Sequence, residues 1–225
     1  MRGISITGDH ATPPPNRRWF LRAGAATVLG GAWLTGCDTE TADSSRTTST
    51  RSGPRVLLAY FSRAGENYHY GGRKFLEVGN TEVLAGMISD RIACDIHSIE
   101  AAEPYSDDYD DTVARNVREQ DADARPAIAN PLPDIERYDV VLLASGIWNV
   151  RPPMIMRTFA EGLDFTGKTV LPVTTHAMSG LGTASEVYAE ACAGASIGDG
   201  LAVRGEEVNQ ADDAVSPWLR RVDLM

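Results

Sequence analysis

Apolar and polar positions along this chain alternate between two periods. Short strand-like runs fall at 56–62, 95–100, 140–145, 169–175 and, more weakly, 200–204. A continuous apolar run of that length reads as a strand covered on both faces. Between and after these runs lie helix-like stretches at 81–93, 107–123, 152–162, 184–192 and 212–222. In the first of them Leu84, Met87, Ile88 and Ile92 recur at helical spacing, so one face is expected to be buried. The second is strongly charged and is expected to be exposed. Strands alternating with helices imply right-handed crossovers and a parallel sheet covered on both faces. The expected fold class is therefore α/β, a three-layer sandwich on a five-stranded parallel sheet of order 2-1-3-4-5. That order places a switch point between the first and third strands, and ligands bind beyond the carboxyl ends of the strands there. The loops after the first, third and fourth strands are expected to meet.

Those three loops carry the candidate chemistry. The first begins at Ser62-Arg63-Ala64-Gly65-Glu66-Asn67 and reaches Gly79-Asn80-Thr81, where the first helix opens. The apolar period of that helix starts at Val83–Leu84, so the turn is split by an insertion spanning 65–78. Hydroxyls and free N–H groups at a helix N-terminus suit a phosphate dianion. Ser62 and Thr81 supply such hydroxyls without a lysine. A plain strand-to-helix turn capped by Asn80 would look the same. The second loop is Ser145-Gly146-Ile147-Trp148-Asn149-Val150, followed by Pro152-Pro153 at a helix start. Gly146 permits close approach to a planar ring, Trp148 offers a stacking face and Asn149 an amide for the ring edge; Trp148 as a cover for the sheet end is the alternative. The third loop, Thr175-His176-Ala177-Met178-Ser179-Gly180-Leu181-Gly182, places His176 at a strand's carboxyl end beside glycines. His69 and His97 have no such setting.

The chain ends change the picture of where this domain works. Asn16-Arg17-Arg18-Trp19-Phe20-Leu21-Arg22 reads as a twin-arginine export signal, and Leu34-Thr35-Gly36-Cys37 resembles a lipobox. Residues 1–36 are then a signal peptide, Cys37 the lipidated N-terminus, 37–54 a Thr/Ser/Asp-rich tether, and 55–225 a single domain. The expected location is the outer face of a cytoplasmic membrane, with contact to the bilayer through the lipid anchor only. An uncleaved weak anchor is the alternative. The whole chain carries −10. The leader holds Arg2, Arg17, Arg18 and Arg22 against Asp9, so the mature chain is left at about −13. Such a surface repels nucleic acid and anionic headgroups and suits basic proteins or neutral small molecules. Cys94 and Cys192 have no CxxC partner or metal-ligand spacing and read as inert thiols. No metal cluster can be assembled from the sequence.

Several motifs together resemble one family. They are Ala59-Tyr60-Phe61-Ser62-Arg63-Ala64-Gly65-Glu66-Asn67-Tyr68, Gly79-Asn80-Thr81-Glu82, Tyr105-Ser106-Asp107-Asp108-Tyr109, Asp164-Phe165-Thr166-Gly167-Lys168, and Thr175-His176 with Ser179-Gly180-Leu181-Gly182. The set resembles the flavodoxin-like FMN proteins of bacteria, closest to a group with a long first loop, and spans nearly all of 55–204. The resemblance implies noncovalent FMN. Its phosphate would lie at Ser62, Ala64, Asn80 and Thr81, with Arg63 and Gly65 in the same loop. Its ring would lie between Ser145, Gly146, Ile147, Trp148 and Asn149 on one side and Thr175, His176, Ser179 and Gly180 on the other. His176 is the candidate for assisting proton movement. Two departures stand out. The glycine usual after the second-loop tryptophan is absent, and Ala64 replaces a second hydroxyl, which weakens the grip on phosphate.

The resemblance implies a redox protein that shuttles electrons or reduces a quinone-like acceptor, with a redox protein or small molecule as partner. No Gly-x-Gly-x-x-Gly follows a strand, so a nicotinamide site is not supported. The alternative is a flavin-free module of the same fold, holding another phosphorylated ligand or a protein. A hydrolase built on Ser62 or Ser179 with His176 ranks last, because Gly-x-Ser-x-Gly is absent.

Overall fold

The computed structural model describes residues 53–225. The expected signal peptide, Cys37 and nearly all of the tether lie outside the described residues.

The apolar run of β1 (Val56–Tyr60) sits inside the sheet, flanked by β4 (Cys94–Ser98) and β5 (Val140–Gly146), both parallel to it. β5 pairs with β6 (Thr169–His176), and β6 carries two short strands on its far side, β7 (Ser196–Ile197) and β8 (Leu201–Arg204). The order β4-β1-β5-β6-β7, with β8 also on β6, is the expected 2-1-3-4-5. The last position differs from expectation in being divided. β7 pairs with the start of β6 and β8 with its end, and Gly198-Asp199-Gly200 separates them. A Cβ on Gly200 would lie 2.9 Å from the Pro172 carbonyl oxygen, so the chain passes too close to β6 there for a side chain.

Alternation within the strands divides the core into two layers. Leu57, Ala59, Val141, Leu143 and Val170 face α3 (Met154–Glu161) and α4 (Ala184–Ala191), where Ile155, Phe159 and Tyr188 are fully buried. Val56, Leu58, Leu142, Ala144 and Val173 face α1 (Asn80–Ser89) and α5 (Asp212–Arg221). Leu84 and Ile88 of α1 are fully buried, as their spacing predicts. β4 is an edge strand with Ile96 exposed, and Cys94 on it is half-buried rather than buried. Cys192 is buried and free, and burial pushes its thiol up to about 12.

Two features depart from the expected pattern. The insertion 65–78 is an antiparallel hairpin, β2 (Gly65–His69) and β3 (Gly72–Leu76), turning at Tyr70-Gly71 with both residues at positive φ. The charged helix α2 (Tyr109–Asp121) is not simply exposed: Thr112, Asn116 and Glu119 are buried. Glu119 accepts from the Tyr105 hydroxyl (2.8 Å) and from Arg115 Nε (2.7 Å), and the Arg115 guanidinium lies over the Tyr105 ring. A buried carboxylate persists only when its oxygens are paired in this way.

Trp218 of α5 is 1% exposed and donates from Nε1 to the Asp199 carbonyl at 2.9 Å, so it fills the lower layer and pins the break between β7 and β8. Replacing Trp218 with Ala is expected to cost about 3–5 kcal/mol, measured as a loss of unfolding free energy in urea titrations.

Candidate functional site

In-register parallel pairing sets the strand ends along one edge: Tyr60 opposite Ala144 and Ser98, Gly146 opposite Thr175, His176 opposite Arg204. Beyond that edge opens a cleft of about 540 Å³, within the size range of small-molecule sites.

The split first loop builds one end. Gly79 precedes α1, and a Cβ there would meet Ser62 Oγ and the Arg63 carbonyl oxygen (2.6 Å), so only glycine lets the two halves touch. Ser62 Oγ then accepts the Glu82 N–H at 3.1 Å, capping α1 from across the insertion; Asn80 is the first helical residue and not the cap. The backbone N–H groups of Ser62, Arg63, Ala64, Asn80 and Thr81 donate to no protein acceptor among the described residues. Those of Ser62, Arg63, Asn80 and Thr81, which line the cleft, could together with the positive end of α1 serve as an anion nest. Thr81 Oγ1 lies 2.8 Å from Thr175 Oγ1 in a buried contact that ties the first loop to the third. Arg63 lines the cleft, but its guanidinium donates to the Ser106 carbonyl at 2.9 Å and to the Asp107 and Glu66 carbonyls. Burial lowers its pKa, partly opposed by Asp107. Arg63 therefore anchors the loop and spends its donors on protein. Ala64 and Gly65 do not line the cleft. Gly65 is at φ +84, and a Cβ there would lie 2.8 Å from the Asp107 backbone, so its role is close packing.

The second loop forms a tight turn. Trp148 N–H donates to the Arg151 carbonyl at 2.8 Å, and Asn149 and Val150 sit at φ +52 and +64. Positive φ at both central residues is a type I′ turn, which favours glycine at the second position. The Val150 carbonyl is clamped by the Thr183 N–H at 2.8 Å. Trp148 borders the cleft with its ring edge-on to Phe61 (5.8 Å) and Tyr105 (5.1 Å). The Asn149 amide donates to Gln120 Oε1 at 3.0 Å, so it is occupied by α2. Gly146 and Ile147 line the cleft; Ser145 is fully buried one residue short of the edge and does not.

In the third loop Thr175, His176 and Ser179 line the cleft, whereas the Gly180 carbonyl turns to Thr174 Oγ1 (3.1 Å) and Gly180 lies off it. His176 Nδ1 is buried without a partner. Burial, and then Arg204, lower its pKa from the ordinary 6.5; Glu206 and Glu207 oppose this.

Beyond Asn67 and Tyr68 of the hairpin, which also border the cleft, the sequence reading missed two walls. Tyr109, Val113 and Val117 of α2 border the cleft, with Val113 and Val117 exposed, as is Met178 of the third loop. Gly205 and Glu206, in the 3-10 turn Gly205–Gln210 after β8, close the side next to Asn80. The spacing of Val113 and Val117, one helical turn apart, was the available signal for the first; nothing marked the second.

A family model described as flavodoxin matches residues 55–222. The chain belongs to the flavodoxin family. A provisionally assigned flavoprotein from Bacteroides eggerthii is 25% identical, with 77% of this chain and 100% of that one covered and a TM-score of 0.59. Its counterpart from Bacteroides uniformis is 24% identical (75% and 99% covered, TM-score 0.54). A flavoprotein of Lactobacillus acidophilus, solved in complex with FMN, is 18% identical (70% and 98% covered, TM-score 0.53) and shares the fold. No curated protein matches the chain. Membership of this flavodoxin family supports FMN as the cofactor.

Two predictions follow from this geometry. A β-branched residue in the left-handed region costs roughly 1–2 kcal/mol, so Val150→Gly is expected to stabilise this flavodoxin by about 1 kcal/mol, read as a raised thermal midpoint. His176, with its folded pKa below the unfolded value, contributes stability that is complete above pH 6.5 and lost as pH falls through the lower folded value. His97, also lowered by burial, adds to the same decline. His176→Gln should flatten a plot of unfolding free energy against pH below 6.5.

Proposed function

We propose that this flavodoxin is an FMN-dependent redox protein that carries electrons or reduces a quinone-like acceptor at the cell envelope. The observation that carries the reading is the convergence of unpartnered amides from both halves of the split loop on the start of α1. An apolar-walled slot adjoins that nest.

Each wall has a job under this reading. The amides of Ser62, Arg63, Asn80 and Thr81, with the dipole of α1, hold the phosphate without a cation. Gly146, Ile147 and Trp148 on one side, Val113 and Val117 on another, and Met178 at the lip exclude water from the ring. FMN supplies hydride and single-electron chemistry once bound. His176, kept neutral at pH 7 by its lowered pKa, holds or releases a proton at the cleft wall. Acidic side chains act on residues of the cleft, Asp107 and Asp108 on Arg63 and Glu206 and Glu207 on His176. They oppose further negative charge in the cleft, which favours a low potential and a neutral acceptor or a basic redox partner over nucleic acid.

The location belongs to the same proposal. The twin-arginine pattern and the lipobox support export, with lipid on Cys37 holding the domain to the outer face of the cytoplasmic membrane. A twin-arginine route suits a protein that acquires its cofactor before export.

The test is the absorbance spectrum and thermal midpoint of the chain from Asp38 onward, with and without FMN. Bound-flavin absorbance is expected, and a midpoint rise equivalent to ~2.7 kcal/mol when FMN is at a hundred times its Kd. Riboflavin, which lacks the phosphate, should bind at least about tenfold more weakly. A colourless protein whose midpoint ignores FMN but rises with another phosphorylated ligand would replace this reading with that of a flavin-free module.

A further inference from the structure

One carboxylate in the cleft carries a buried oxygen that no protein group satisfies. Glu206 lies on the turn after β8, and its two carboxylate oxygens have different surroundings. Oε1 accepts the Tyr70 N–H at 3.3 Å, from the tip of the β2–β3 hairpin. Oε2 is buried and accepts no hydrogen bond from the protein. No cation is within ion-pair distance of it among the described residues; the adjacent Arg204 pairs with Glu207 at 3.9 Å. In the same cleft, within electrostatic reach of Glu206, His176 Nδ1 is also buried and unpartnered. A carboxylate oxygen removed from water without a donor is expensive, so a site that holds one in place is built for a donor brought by the ligand.

The position says which part of the ligand brings it. A Cβ on Gly205 would fall 2.4 Å from Asn80 Nδ2, so Glu206 starts next to the anion nest. Thr81 and Thr175, bonded at 2.8 Å, hold the stem of His176 against that same end. The donor on an isoalloxazine ring lies at the far edge from the phosphate. The donors nearest the phosphate are the hydroxyls of the chain that links phosphate to ring.

We propose that Glu206 Oε2, with His176 Nδ1 as its neighbour, is a polyol subsite that selects ligands with a hydroxylated chain between phosphate and ring. This rests on the FMN reading and deepens it. Because Oε1 holds the hairpin tip while Oε2 holds the ligand, Glu206 is also a clasp: filling the cleft fastens the turn at Tyr70.

The experiment uses the full-length protein and two ligands, FMN and a flavin phosphate whose linking chain is an unsubstituted pentyl group. Binding is measured for the unaltered protein, Glu206→Gln and Glu206→Ala, with amide hydrogen exchange at Tyr70 as a second readout. Glu206→Ala is expected to weaken FMN about tenfold and to leave affinity for the pentyl analogue unchanged. Glu206→Gln keeps the shape and an acceptor and should fall between. FMN should slow exchange at Tyr70 in the unaltered protein, and the analogue should not. Equal weakening of both ligands by Glu206→Ala would make Glu206 a support for the hairpin and overturn the subsite, as would no weakening of either. Normal FMN uptake with either of those results brings down this inference alone. Failure of the unaltered protein to take up FMN or the analogue brings down the parent reading with it.

Discussion

Parallel pairing obliges every strand to deliver its exit loop to the same edge, and the rest of this molecule depends on that constraint. Val56 opposite Val140 and Val140 opposite Thr169 set β1, β5 and β6 in step. Their exits at Ser62, Ile147 and Ala177 must then converge. β8 adds a further exit at Gly205 because it pairs with the upper half of β6. The break at Gly198-Asp199-Gly200 is what frees β8 to take that register. A continuous fifth strand would start its pairing lower and would not be obliged to bring Glu206 beside Asn80.

Charge in the cleft is managed by backbone rather than by cations. An acidic chain that binds a dianion would ordinarily place lysine or arginine at the site. Arg63 is the only arginine in the first loop before the hairpin, and it is consumed by the carbonyls of Glu66, Ser106 and Asp107. Those bonds fix the strand-side half of the nest against the start of α2. The attraction that remains comes from oriented N–H groups, whose short reach would confine it to a phosphate seated on them. Under the proposed FMN reading a ring beside His176 would feel Glu206 and Glu207 with little compensation, and charge accumulating there would be opposed.

The sequence disclosed what repeats and concealed what does not. Apolar runs at 56–62, 140–145 and 169–175 announced the sheet, its order and three of the loops, because burial on both faces leaves a continuous signal. α2 was misjudged because its buried face is polar: Thr112, Asn116 and Glu119 look like solvent-facing residues until Tyr105 and Arg115 are seen to satisfy Glu119. The turn at Asn149-Val150 was hidden because valine argues against the left-handed conformation it holds; only the clamp on its carbonyl by Thr183 reveals why it persists. Ser145, Ala64, Gly65 and Gly180 were chosen by proximity in sequence. Strand alternation and close packing send them away from the cleft.

The hairpin insertion shows how a phosphate loop tolerates interruption. An irregular segment between Ala64 and Gly79 would let the two halves drift and would cost closure entropy each time they met. Antiparallel register pairs Gly65 with Leu76, so the insertion returns its own ends to adjacent positions before the loop resumes. Ser62 can then cap Glu82, twenty residues on, as if no insertion were present. The left-handed Tyr70 at the tip gives the same hairpin a second attachment, to Glu206 on the turn after β8. Two fixed points, one at each end of the hairpin, make it a wall of the cleft rather than an appendage, and they explain why an element so exposed along β3 is needed next to the nest at all.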